Sequence, residues 1–165
     1  MKEYFLYFLY VMKHKWYVFW ACAKNGIWWR GLLHDVSKFY PSEFFAYAKI
    51  FYGKIKLVRD INGYYDPYLS TNKVFTKSWI SHLHRNKHHW QYFALVDENM
   101  SVVLMEMPKV YILEMISDWV GATKAQKSKL NVIQWYRVYK DKILLHKNSK
   151  RFLESKLEEI FKEKI

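Results

Sequence analysis

The chain has 165 residues, enough for one domain with a hydrophobic core of its own, and 20% of them are aromatic. Only five glycines and three prolines are present, which disfavours a turn-rich β-sandwich and favours helices, and the single Cys22 excludes a disulfide framework and fits a cytoplasmic location. The net charge of +12 favours anionic partners such as nucleic acid, nucleotides, phosphorylated metabolites or an acidic membrane surface, although lysines spread along a chain also act as solubilising residues.

The first 26 residues are mostly apolar, and at first sight this composition is typical of a membrane segment. Lys13, His14 and Lys15 nevertheless divide them into apolar runs of about eight residues, whereas a membrane-spanning helix needs about 20. No cleavage site of small residues follows, which argues against a signal peptide. We therefore predict no membrane span, but a buried amphipathic helix over residues 3–24 that ends at Asn25-Gly26.

The rest of the pattern predicts an all-α fold, a single compact domain over residues 1–165 with about six or seven helices. Pro41 is expected in the first turn of the third helix, and Thr76 is expected to cap the fourth. Turn signals predict an irregular segment over residues 54–75, a candidate lid, and a linker over 94–107. After the first, the predicted helices cover residues 28–38, 41–53, 76–93, 108–124, 131–145 and 148–165.

Ionisable residues within these apolar helices indicate a metal site. His14 lies in the first helix, His34-Asp35 in the stretch WWRGLLHDVSKF, and Asp118 in LEMISDW. Taken singly, each is as well explained as a core histidine or a paired carboxylate, but a buried carboxylate is costly unless it is paired or bound to a metal. Imidazoles with one or two carboxylates suit Zn, Fe, Mn, Co or Ni. Because adjacent helical positions diverge by about 100°, an ion would lie between helices, and Asp35 is suited to bridge two ions.

Four further histidines lie close together in the stretch SHLHRNKHHW. His84 and His88 are spaced i, i+4, so on one helix they would point from the same face, as a two-histidine ligand pair requires. His82 and His89 would share another side of that helix. The basic and amide residues between them leave open that the stretch is a solvated face instead.

The order His14, His34-Asp35, Asp118, with HDVSK as an HDxxK motif, resembles the HD superfamily of metal-dependent phosphohydrolases. Those proteins are all-α domains with the signature H…HD…D, and their two-metal members carry additional histidines between HD and the last aspartate. The blocks GIWWRGLLHDVSKFYPSEF, HRNKHHWQYF and LEMISDW also resemble a bacterial and phage family of unassigned function. The resemblance covers most of residues 10–122 and leaves out the C-terminal helix.

This resemblance implies an HD-like bundle that binds one or two divalent transition-metal ions (Mn, Fe, Co, Ni or Zn). The implied ligands of the first ion are His14, His34, Asp35 and Asp118. The ion would lower the pKa of its bound water to about 7, so that hydroxide attacks a phosphorus centre.

The resemblance also implies roles for residues around that ion. Lys38 and Arg30 would contact phosphate oxygens, and a plain surface charge or a pair with Glu43 is the other interpretation of both. Glu114 would orient a ligand histidine from behind. His84, His88 or His89 would bind a second ion, contact phosphate or transfer a proton to the leaving group.

The leading functional prediction is therefore a cytoplasmic phosphohydrolase that acts on a nucleotide or another small phosphorylated molecule. A second hypothesis is an HD-type oxygenase with two irons, since a histidine-rich site suits iron. A third is a non-catalytic basic protein that binds nucleic acid or a protein partner, whose affinity for nucleic acid would fall steeply with salt. The sequence leaves the oligomeric state open.

Overall fold

Seven α-helices and one short β-hairpin form the regular structure of the protein, in a computed structural model that describes residues 1–54, 57–163 and 165. The helices are α1 (Lys2–Lys24), α2 (Trp28–Leu33), α3 (Pro41–Tyr52), α4 (Lys73–Arg85), α5 (Lys109–Gln126), α6 (Val132–Tyr139) and α7 (Lys147–Phe161). In the hairpin, β1 (Ala94–Val96) pairs antiparallel with β2 (Val102–Leu104). The predicted all-α fold class is confirmed.

Helix α1 is the central element, against which α2, α3 and α5 pack. Its inner face is a buried stripe with steps of three and four residues, the spacing of a core-facing helix. His14 lies in the middle of this stripe. The stripe consists of Tyr7, Val11, His14, Val18 and Cys22.

The outer face of α1 is apolar as well, yet it is exposed. The prediction of a buried amphipathic helix is thus right for one face and wrong for the other, because periodicity indicates which residues share a face but not whether another element covers it. Across the described ranges, no helix combines the length and the hydrophobicity of a membrane span.

Two glycines let α2 and α5 approach α1 closely. A Cβ atom at Gly121 would overlap Cγ2 of Val18 and lie 3.3 Å from the carbonyl oxygen of His14. A Cβ atom at Gly31 would lie 2.7 Å from Cα of Phe19, closer than side chains pack. Gly121 follows Asp118 by one turn and Gly31 precedes His34 by three residues, so the same close packing brings both ligand candidates to His14.

The apolar core has two main parts on either side of the polar centre. One joins α1, α3 and α4, and the other joins α5, α6 and α7. The first consists of Tyr7, Val11, Ala46, Tyr47, Ala48, Ile50 and Phe75. The second consists of Phe93, Met107, Ile112, Met115, Ile116, Val132, Tyr136, Leu153 and Leu157.

Several predicted boundaries are wrong where side chains end or begin a helix. The second helix ends at Leu33 rather than at residue 38, and a short 3₁₀ turn over Val36–Phe39 follows. The fourth begins at Lys73, because the side chain of Asn72, and not that of Thr76, accepts a hydrogen bond from the first turn. It ends at Arg85, before the last two of the clustered histidines.

The C-terminal half differs in similar ways. The predicted linker over 94–107 contains the hairpin, the helix predicted over 131–145 ends at Tyr139, and His146 caps the last helix. The candidate lid contains one 3₁₀ turn, and residues 55 and 56 of it, like residue 164 of the last predicted helix, lie outside the described residues. Asp60 accepts a hydrogen bond from Tyr139, so part of this segment is fastened to α6.

Candidate metal centre

The first group of ligand candidates joins three elements around the carboxylate of Asp118. Nε2 of His14, on α1, lies 3.1 Å from Oδ1 of Asp118, on α5. Nε2 of His34, which follows α2, lies 3.3 Å from the same oxygen and 3.3 Å from Oδ2 of Asp35. These four side chains offer ligand atoms that converge within 4.8 Å of one another, as the sequence predicted for this set.

A second group shares Asp35 with the first. Oδ1 of Asp35 lies 3.3 Å from Nε2 of His88 and 3.6 Å from Nε2 of His82, whereas Oδ2 faces His34. Nε2 of His89 lies 2.9 Å from Nε2 of His82, which completes a second converging set. One carboxylate therefore faces both groups, one oxygen to each, as a bridging ligand between two ions requires.

The nitrogen and oxygen atoms of both groups are arranged as metal ligands would be, and several of them make no hydrogen bond with one another. Nε2 of His14, His34 and His88 and Oδ1 of Asp35 are buried without a hydrogen-bond partner among the described residues. Such an orphaned polar atom costs roughly 1–3 kcal/mol. Ligand atoms about 2.0–2.2 Å from an ion lie roughly 3–3.5 Å apart in tetrahedral or octahedral arrangements, which is the spacing of most atom pairs here. The buried side chains form a group that is suited to hold metal.

The backbone at Asp35 explains how two adjacent residues face one centre. Helix α2 ends at Leu33, and Asp35 takes a left-handed conformation with φ 51°, which Asp tolerates better than most residues. Lys15 donates hydrogen bonds to the carbonyl oxygens of Leu32 and His34 and so satisfies the open end of the helix. The expected divergence of about 100° between helical neighbours does not apply here, because neither residue is helical.

Glu114 holds two of the histidines from behind, in the position predicted for it. Its Oε1 lies 3.2 Å from Nδ1 of His34 and 3.4 Å from Nδ1 of His88. Arg30 donates from Nε to Oε2 of Glu114 at 2.6 Å, which fixes the carboxylate. An Nδ1–H directed at Glu114 leaves Nε2 of each ring as the atom that can bind an ion, and those Nε2 atoms point into the centre.

Glu43 holds His82 in the same way, and sequence reasoning missed this role. The fully buried Glu43 lies with Oε2 2.9 Å from Nδ1 of His82, accepts a hydrogen bond from Ser37 at 3.0 Å and pairs with Arg85. A glutamate in the first turn of a helix behind Pro41 is ordinary in a sequence, because it interacts favourably with the helix dipole. The sequence indicated that Glu43 could pair with a cation, but the cations considered were Lys38 and Arg30, whereas the partner is Arg85.

His84 does not join the centre, and His82 takes the place predicted for it. Because α4 ends at Arg85 and Asn86 is extended, the i, i+4 spacing from His84 to His88 does not lie on a helix. His84 is exposed, whereas His82 is buried on the inner side of α4. Nδ2 of Asn86 donates to the carbonyl oxygen of His82 at 2.9 Å, and this turn directs His88 back towards Asp35.

The two predicted phosphate contacts are bound to carboxylates of the centre. Nζ of the mostly buried Lys38 lies 2.6 Å from Oδ2 of Asp35. Arg30 is engaged with Glu114, and its guanidinium lies 4.6 Å from the centroid of the Tyr111 ring. Lys38 thus balances the charge of Asp35, and Arg30 positions Glu114.

The charges of the centre favour ionised carboxylates and a cation between them. Burial opposes ionisation of Asp35, but His34 and Lys38 outweigh it and hold the pKa of Asp35 well below its usual value. Burial also opposes ionisation of Asp118, yet its contacts with His14 and His34 lower its pKa well below the usual range. Burial lowers the pKa of His14, so that this imidazole is neutral, the form that binds metal.

A cavity of about 310 Å³ opens beside the second group. Asp35, His88 and Glu114 reach its wall, and Arg30, Arg85 and Lys87 add three cationic side chains. Its remaining lining residues are Leu33, Asn86 and Tyr111. A small anion in this cavity would touch both the cations and the ligand candidates.

A comparison with protein families places the chain. A model described as "Family of unknown function (DUF5662)" matches residues 3–159. The match includes most of α7, so the family pattern extends beyond the limit near residue 122 that the sequence resemblance predicted. Searches of curated proteins and of solved structures found no match to the chain. The chain belongs to the family of unknown function DUF5662.

Proposed function

We propose that the protein is a divalent-metal-dependent hydrolase of a small phosphorylated molecule, with two ions held on either side of Asp35. The observation that carries the proposal is the convergence of buried ligand atoms, several of them without a hydrogen-bond partner among the described residues, in two groups that share this carboxylate. The likeness of the ordered motif to the HD superfamily supports the same reaction class.

The ligand assignment follows from the two groups. The first ion would be held by His14, His34, Asp35 and Asp118, and the second by Asp35, His82, His88 and His89. When bound, divalent ions supply Lewis acidity and lower the pKa of a coordinated water. Glu114 and Glu43 act through the histidines, whose rings they hold with Nε2 towards the ions.

Charge supports an anionic substrate. The charged side chains of the centre are Asp35, Glu43, Glu114, Asp118, Lys38, Arg30 and Arg85. Histidines bind metal as neutral imidazoles, so in the loaded centre these four carboxylates and three cations leave one negative charge, which two divalent ions would convert to three positive charges. Phosphate esters are anions that both metal ions and arginines bind.

The cavity gives the substrate its place and its size. Arg85 and Lys87 line it together with His88 and Asp35, so a phosphate group would lie between the cations and the second ion. The volume of about 310 Å³ is at the lower end of the range for small-molecule sites, roughly 300–1,000 Å³. This favours a phosphomonoester or a single nucleotide over a polymer.

Metal content and phosphatase activity test the proposal together. Protein purified without chelator is expected to carry close to two ions per chain and to hydrolyse at least one compound in a screen of nucleotides and phosphomonoesters. His34→Ala should lose metal and activity while its far-UV circular dichroism stays the same. His84→Ala is the matched control, because His84 is exposed and lies in neither group. Metal-free protein, or full activity in His34→Ala, would refute the proposal.

Iron oxygenase chemistry is the second candidate, and the histidine content favours it. Five of the seven residues in the two groups are imidazoles, and imidazole with carboxylate suits iron as well as zinc. Anaerobic purification separates the two functions. Two irons per chain with a near-infrared mixed-valence band indicate the oxygenase, and turnover of a phosphate ester with Mn, Co, Ni or Zn indicates the hydrolase.

A further inference from the structure

The outer face of α1 carries a continuous apolar strip, which we call the α1 ridge. It consists of Phe5, Phe8, Leu9, Met12, Trp16 and Trp20. At about 100° per residue these side chains fall within an arc of roughly 120°, centred opposite His14. Phe5 is 62% exposed, Trp16 60% and Trp20 49%.

The ridge is large for a surface without a partner. Since a whole aromatic side chain covers about 150–250 Å², the exposed parts of the ridge amount to roughly 600 Å². That is at the upper limit of the largest apolar patch of an ordinary monomer, roughly 300–600 Å². Phe39 extends it, because its half-exposed ring lies 6.4 Å from that of Phe8.

The charges around the ridge indicate what covers it. The exposed residues of α1 are the six of the ridge together with Lys2 and Lys24, one lysine at each end. No exposed acidic residue lies on the helix among the described residues, and the chain as a whole carries +12. Tryptophan and phenylalanine flanked by lysine are the composition of helices that lie in the interface of an anionic bilayer.

A second copy of the chain fits this surface less well. If two α1 helices packed by two-fold symmetry in the antiparallel sense, Lys2 of one copy would lie beside Lys24 of the other. In the parallel sense each lysine would meet its own counterpart. Both arrangements bring like charges together, and two chains with +12 each repel one another. An anionic lipid surface attracts the same lysines.

We propose that the α1 ridge docks the protein on the surface of a membrane rich in anionic lipids. The helix lies in the interface with the ridge in the headgroup region and with His14 and the metal centre on the opposite side, facing away from the lipid. The inner face of α1 stays in the protein core, so the attachment is peripheral and needs no spanning segment. This inference stands on the ridge alone and holds for either chemistry of the centre.

Sedimentation with vesicles tests the docking. The probes are vesicles of phosphatidylcholine alone and vesicles with about one third phosphatidylglycerol, at constant ionic strength. We expect binding to the mixed vesicles, binding at least roughly tenfold weaker to the neutral ones, and a further loss of roughly tenfold in the double variant Trp16→Ser/Trp20→Ser. The matched control is Leu95→Ser/Met105→Ser, which removes two exposed apolar side chains outside α1 and should bind as the wild type does.

Other results would overturn the proposal. They are equal binding to neutral and anionic vesicles, no binding to either, and binding that the tryptophan variant leaves unchanged. Analytical ultracentrifugation tests whether a second copy of the chain covers the ridge instead. A wild-type dimer that becomes a monomer in Trp16→Ser/Trp20→Ser would show that it does. Unchanged metal content and circular dichroism in both double variants establish that the centre and the fold are intact.

Discussion

Nδ1 of His34 lies 3.2 Å from Oε1 of Glu114, and this contact connects the two halves of the candidate centre. The same carboxylate oxygen lies 3.4 Å from Nδ1 of His88, which belongs to the second group. Glu43 has the corresponding position behind His82 alone, at 2.9 Å. Each glutamate is held in turn by an arginine, Arg30 or Arg85. The two carboxylates therefore differ in how many ion sites they support.

We expect the conservative variants Glu114→Gln and Glu43→Gln to separate these roles. Losing a carboxylate behind a ligand histidine typically weakens metal affinity by about 10–100-fold. Glu114→Gln should weaken the binding of both ions, because the partners of Glu114 lie in both groups. Glu43→Gln should weaken the binding of one ion and leave the other at the wild-type affinity. Competition titration with a chromophoric chelator measures the two affinities separately.

Each variant serves as the control for the other, since both remove a buried carboxylate that is held by an arginine, and they differ in whether that carboxylate faces one histidine or two. Equal losses at both ions in Glu43→Gln would contradict the assignment of Glu43 to the second group. Far-UV circular dichroism of both proteins establishes that the helices remain.

The close approach of α1 and α5 should be sensitive to a single methyl group. Gly121→Ala places a Cβ atom against Cγ2 of Val18, and overpacking of this kind typically costs about 1–3 kcal/mol of unfolding free energy. To relieve this contact α5 must move away from α1, which also moves Asp118 away from His14. Metal affinity should therefore fall together with stability. Urea denaturation and metal titration measure the two effects.

A double variant decides whether this contact is the cause. In Gly121→Ala/Val18→Ala the clashing methyl group is gone, so the double variant should be more stable than the sum of the two single effects allows. Additive losses would contradict the steric explanation, because residues that do not interact show additive changes.

Removal of metal should destabilise the protein by an amount that depends on the free metal concentration. An ion present at about 100 times its Kd adds roughly 2.7 kcal/mol to the free energy of unfolding. We therefore expect a chelator to lower the melting temperature of the wild type. The effect should be smaller in His82→Ala, which lacks a proposed ligand of the second ion, and undiminished in His84→Ala.

His82 and His84 are two residues apart on α4, and His82 is buried on the inner side of the helix whereas His84 is exposed. Differential scanning fluorimetry with and without chelator provides the comparison. A reduced effect in His84→Ala, or a full effect in His82→Ala, would contradict the assignment of the second group.

Much of the first group could be predicted from the sequence. His14 and Asp118 are polar residues within apolar helical periodicity, and the His34-Asp35 pair stands in an apolar stretch. Burial of such residues follows from their neighbours, and the need for a partner follows from burial. Their spatial convergence needed tertiary packing, which Gly31 and Gly121 permit.

The second group was less accessible to sequence reasoning. No glycine or proline marks the end of α4 at Arg85, so the helical spacing of His84 and His88 was carried past the point where the helix stops. Glu43 resembles any acidic residue in a first helical turn. The exposed ridge on α1 was missed for a related reason, since an apolar face looks the same in a sequence whether or not another element covers it.

Lys87 provides the test of the substrate site. It is an exposed residue on the cavity wall, and its Nζ lies 5.6 Å from the centroid of the Tyr92 ring and 6.0 Å from that of Tyr111. Lys87→Ala should raise KM for a phosphorylated substrate by roughly tenfold and leave kcat nearly unchanged, because a charge at the rim contributes binding energy in ground state and transition state alike.

The exposed Lys77, on the outer part of α4, is the matched control, and its alanine variant should keep the wild-type KM. The raised KM of Lys87→Ala should approach the wild-type value as salt increases, because screening weakens the contribution of an exposed charge. Steady-state kinetics at two ionic strengths measure this convergence. If Lys87→Ala and Lys77→Ala had the same KM, the substrate phosphate would not lie in this cavity.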